Sequence, residues 1–147
     1  MSVAPSQTAA LARRLVMIEA RGLDRPEELA EAGERAWERL RRRLTVLIGP
    51  EGFDALFARA LALSRSDYPM LAGIQYEAAN GYGLTGLREI AYERAPTDVL
   101  DATVIVTANF LAVLARLIGV DLVVRLMREA WPELPPEDVH LSWETSE

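Results

Sequence analysis

The chain has 147 residues, 50% of them hydrophobic and 26% charged, with 16 arginines, 22 acids, no lysine and no cysteine. That length suits one domain with a buried core; the missing thiols exclude disulfides, thiolate metal sites and cysteine nucleophiles, and the missing lysine excludes Schiff-base and Walker-lysine chemistry. The net charge of −6 is uneven, since residues 132–147 carry five acids and no arginine while the other 131 carry 17 acids and 16 arginines; a body without a basic surplus disfavours nucleic acid as the main partner.

The start of the chain lacks an unbroken apolar run behind a basic head, so no signal peptide is expected and the cytoplasm is the expected compartment. Leu11, Leu15 and Ile18 share one face of a helix predicted over 8–21, ended by Gly22. Asp24, Pro26 and Glu27 then predict a cap, with Glu27 reaching back, for a long helix over 25–48 striped by Leu29, Ala32, Ala36, Leu40, Leu44 and Leu47. Gly49 supplies a turn and Pro50 prevents continuation. A third helix over 52–64 is expected to turn Phe53, Leu56, Phe57, Ala60 and Leu61 inward. The stretch that follows is less regular: a short helix is predicted over 70–79, a turn at Asn80 and Gly81, and a helix over 86–94 capped by Thr85.

Pro96, Thr97 and Asp98 open the most apolar segment. Its longest uncharged run, 102–115, is short for a bilayer crossing and suits a buried helix, so no membrane partner is expected. Gly119 stops this helix as Gly49 stops the earlier one, and a last helix over 121–131 ends at Pro132. Leu-Ile-Gly, then a helical pattern, then an aromatic residue and proline therefore occurs twice. Each copy reads as an antiparallel helical hairpin with a glycine stop. Duplication and a coincidence of common helix grammar both account for the echo.

The segments LIGPEGFDALFARAL and LARLIGVDLVVRLMREAWP resemble those of a family of small uncharacterised all-helical bacterial proteins. The resemblance covers roughly residues 40–132, implies an all-helical bacterial protein and brings no catalytic residue with it. The expected fold is all-α: a compact bundle of about five to seven helices in one domain, 1–131, with two related hairpins as one reading. An acidic, proline-containing and poorly ordered tail, 132–147, is expected to follow.

Few residues suggest chemistry. His140 is the only histidine, and a zinc site wants three or four preorganised ligands, so neither a metal nor a cofactor is expected. No nucleophile-elbow, Walker or zincin motif occurs, and no catalytic residue is assigned. Glu31 with Arg35 and Glu38 with Arg42 are helical ion pairs, while Arg35, Arg39 and Arg43 form a basic column that is either a solvated face or an interaction surface. Gln75, Tyr76, Asn80 and Tyr82 gather polar and aromatic groups on an irregular segment and are the ligand-binding candidates. Thr103, Thr107 and Asn109 interrupt the apolar helix; the threonines are expected to bond the preceding turn and Asn109 to bond another helix. Leu141 and Trp143, set among acids, either fold back on the bundle or anchor a partner. The leading expectation is a non-enzymatic interaction or regulatory module that contacts another protein or itself. The alternative is a small-molecule sensor or enzyme with a pocket between helices near residues 75–82.

Overall fold

The structure, a computed structural model, describes residues 5–76, 84–85, 87, 91 and 93–142, with the backbone alone for 73, 75–76 and 84–85. Among the described residues four α-helices carry the fold: α1 (Pro5–Ala20), α2 (Pro26–Asp67), α3 (Pro96–Ile118) and α4 (Val120–Ala130). Between α2 and α3 lie a 3-10 turn, Pro69–Gly73, and a two-residue antiparallel pairing of β1 (Gln75–Tyr76) with β2 (Leu84–Thr85). The helical class stands, but the expected five to seven helices are corrected to four among the described residues. Gly49 is non-helical and kinks the chain without opening a loop, so the helices predicted over 25–48 and 52–64 are the two limbs of α2, counted here as one element. The stretch predicted helical over 70–79 begins as a five-residue 3-10 turn that ends at Gly73, and Gln75 and Tyr76 then pair as a strand. The helix expected over 86–94 lies mostly outside the described residues; Leu87 and Ala91 from it are buried in the core.

The cap of α2 sits one residue later than predicted. Arg25 is the N-cap, its backbone N–H donates to Glu28 Oε1 at 3.1 Å, and Pro26 takes the first helical position. Glu28 thus plays the part expected of Glu27, satisfying one of the donors a helix start leaves open.

Gly49 folds α2 back on itself. Trp37 and Phe57 would lie about 30 Å apart on a straight helix, yet their ring centroids are 5.4 Å apart. At the bend φ is 79° and ψ 164°, and Gly119, between α3 and α4, repeats this with φ 90° and ψ 152°. Positive φ is as expected, but ψ corrects the left-handed helical cap to a conformation open essentially to glycine alone. Gly119 serves both helices, its N–H donating to Ala115 O at 2.8 Å and its carbonyl accepting from Val123 N–H at 3.2 Å.

The two hairpins are in register. Pro26 to Gly49 and Pro96 to Gly119 are each 23 positions apart, and up to the glycine the second copy follows the first at an offset of 70, while the aromatic-proline pairs, Tyr68-Pro69 and Trp131-Pro132, are 63 apart. The helices meet at that same offset. Trp37 Nε1 donates to Thr107 Oγ1 at 2.8 Å, and Gly33 lies so close to Thr103 that an added Cβ would sit 2.6 Å from its Cγ2. The first limb of α2 and α3 are therefore parallel neighbours in matched register. This register favours the duplication reading.

The core lies where the hairpins meet. Phe53, Phe57, Phe110 and Trp37 are fully buried, and the Phe53 and Phe110 rings are 5.3 Å apart. By length and composition α3 is apolar enough to cross a membrane, but 61% of its most apolar window is buried inside the bundle. The tail, expected to be poorly ordered, instead packs through Ser142. Leu134, Val139 and Leu141 are buried, Arg14 pairs with Asp138 at 3.3 Å, and Ser142 N–H donates to Gln7 Oε1 at 2.8 Å. Prolines fix φ along a tail that includes a 3-10 turn, Pro136–Asp138, while the spaced apolar side chains hold it down.

Candidate functional site: an apolar groove between the hairpins

One seam of the bundle is open. The second limb of α2 presents Leu56, Arg59 and Leu63 at helical spacing, and α3 presents Asn109, Ala112, Val113, Arg116 and Leu117 beside them. With Pro5 these residues line a groove of about 510 Å³. It exists because α3 is apolar on nearly every side, and where its neighbours diverge an apolar face meets water. Leu63 is 43% exposed and Leu117 60%, while Leu56, Ala112 and Val113 are half-buried. Single exposed leucines are ordinary; here Leu63 and Leu117 share one groove with Leu56 and Val113. Asn109 Nδ2 donates to Ser64 Oγ at 2.9 Å, and that hydroxyl donates to Ala60 O at 2.7 Å, so the floor is hydrogen-bonded. Arg59 and Arg116 are exposed along the groove and have no ion pair or hydrogen bond among the described residues.

The arginine column is placed differently. Arg39 donates to both oxygens of Glu133, at 3.0 and 2.6 Å, and to Ala130 O at 2.9 Å. It also lies 3.2 Å from the buried Glu19 carboxylate and 5.4 Å over the Trp131 ring. Arg43 pairs with Glu129 at 3.0 Å, and Arg35 donates to Glu19 O at 2.6 Å. The hydrogen bond from Arg39 holds the Glu133 carboxyl below its usual range, and the same bond raises Arg39 despite partial burial. This column therefore staples α1, α2, α4 and the tail together. The cleft of about 410 Å³ beside it balances four acids (Glu19, Glu31, Glu34, Glu38) against four arginines (Arg21, Arg35, Arg39, Arg42).

Leu141 is 5% exposed and belongs to the strap formed by the tail, while Trp143 lies outside the described residues. Gln75 and Tyr76 form β1, and Asn80 and Tyr82 lie outside the described residues. His140 is exposed on the strap near Arg125 and Glu129, and among the described residues no cluster of His, Cys, Asp or Glu could hold a metal ion. Thr103 and Thr107 donate to the carbonyls of Leu100 and Thr103, both at 2.8 Å, and Asn109 reaches another helix, as the sequence predicts.

Reading by helical face missed Arg59, Leu63, Val113, Arg116 and Leu117. The offset of 70 was the available signal, because it sets Arg59 against Glu129 and Val113 against Arg43, two reversals of character between the copies. No protein-family model matches the chain, and neither a curated protein nor a solved structure matches it.

Proposed function

We propose that this is a non-enzymatic interaction module of a bacterial cytoplasm that binds a protein partner in the groove between the second limb of α2 and α3. The observation that carries this reading is the solvent-open strip of Leu56, Leu63, Val113 and Leu117 on two packed helices. Helices hold such a strip rigidly, which suits a partner helix laid into the seam. The test compares the wild-type chain with a Leu63→Asp/Leu117→Asp variant as bait in the native cell. Both leucines are exposed, so the variant keeps its melting temperature; it is expected to lose the partner that the wild type captures. Equal capture of the same partner by both proteins contradicts the reading.

A further inference from the structure

The offset of 70 between the hairpins gives the groove an internal counterpart. At the offset of 70, Asn109 and Val113 correspond to Arg39 and Arg43, and Arg59 corresponds to Glu129. In the counterpart seam, between the first limb of α2 and α4, Arg43 meets Glu129 at 3.0 Å and Arg39 meets Glu133 at 2.6 Å. That seam is polar, crossed by ion pairs of its own carboxylates, and the cleft of about 340 Å³ in it is lined by Arg39, Arg42, Arg43, Glu129 and Ala130. The open seam has arginines, Arg59 and Arg116, and no carboxylate among its lining residues. We infer that it takes an amphipathic helix from a protein partner, with an apolar stripe seated on Leu63, Val113 and Leu117 and flanking carboxylates against Arg59 and Arg116. This inference rests on the proposed interaction role and names the partner's chemistry.

Two points on the structure favour this occupant. A chain of net charge −6 leaves these two exposed guanidiniums without an ion pair among the described residues, so an acidic partner supplies what the counterpart seam supplies internally. A second copy meeting the groove face to face would set Arg59 and Arg116 against themselves, because a two-fold interface is self-complementary.

The probe is a stapled 14-residue helix with leucines at positions 4, 8 and 11 and glutamates on both flanks, compared with a twin carrying lysines in place of the glutamates. Binding to the whole chain is read by fluorescence anisotropy at two salt concentrations. The glutamate peptide is expected to bind, to weaken as salt rises, and to lose at least tenfold in affinity against an Arg59→Glu/Arg116→Glu variant with an unchanged melting temperature. The lysine peptide is expected to bind that variant better than the wild type. No binding of the glutamate peptide, or equal binding of the two peptides, overturns the inference. So does arginine-dependent binding of laurate without the peptide, which would make the ligand a small amphipathic anion. Self-association of the wild type abolished by Leu117→Asp, with no peptide binding, would make it a second copy. Loss of partner capture in Leu63→Asp/Leu117→Asp together with charge-indifferent peptide binding leaves the interaction role standing and removes only the acidic partner.

Discussion

At the scale of single residues, two glycines are required for different reasons from a third. Gly49 and Gly119 have positive φ with ψ above 150°, and a Cβ added at either meets nothing within 4 Å. The cost of Gly49→Ala or Gly119→Ala is therefore backbone strain, expected at about 1–3 kcal/mol in urea unfolding. Trimming neighbours should not relieve it. At Gly33 the problem is contact: the new methyl would press on Thr103 Cγ2, and overpacking of this kind costs about 1–3 kcal/mol. Thr103→Ser removes that methyl and keeps a hydroxyl for Leu100 O, so the double variant should recover part of the loss. Additive single effects would show that the contact is misassigned. The self-satisfied threonines and the helix-bridging Asn109 were legible in sequence because local bonding rules govern them. The partners of Arg39 were not, since Ala130 and Glu133 lie about ninety positions away and periodicity carries no long-range pairing.

At the scale of elements, α3 and the strap carry the consequences. Phe110 is fully buried against Phe53 and Phe57, and Phe110→Ala should cost about 3–5 kcal/mol in the same urea experiment. A loss near 1 kcal/mol would place the ring at a loosely packed site. The strap adds a pH dependence. Because Arg39 lowers the folded-state pKa of Glu133, the pair's contribution is fully present above the unfolded carboxylate value, about 4.3. It is lost as pH falls through the lower folded value. The melting-temperature gap between wild type and Glu133→Gln should be widest near neutrality and close progressively below about pH 5. A gap that stays constant into acid would mean the carboxylate is not the group that matters. Most helices were legible from their stripes and glycine stops. The two limbs either side of Gly49 were legible from its glycine stop, but not that they would run on without a loop, because the turn is made at that single non-helical residue. A proline-rich acidic tail likewise reads as loose until Leu134, Val139 and Leu141 are seen to be buried.

At the scale of the whole molecule, the echo of Leu-Ile-Gly was legible as two hairpins, but their parallel register was not. Only the contacts of Trp37 with Thr107 and of Gly33 with Thr103 reveal that the copies lie side by side at matched heights. That register turns a sequence echo into two comparable seams, one crossed by the ion pairs of Arg39 and Arg43 and one apolar along Leu63 and Leu117. The open seam is the claim on which the functional account depends, and photo-crosslinking tests it most directly. A benzophenone amino acid is placed at position 63, at position 117, or at position 23 (Leu23 is 48% exposed and lies outside the groove), and each protein is irradiated in the native cell. The account predicts one shared protein adduct from positions 63 and 117 and none of it from position 23. The same adducts from all three positions, or no protein adduct from 63 and 117, would contradict it.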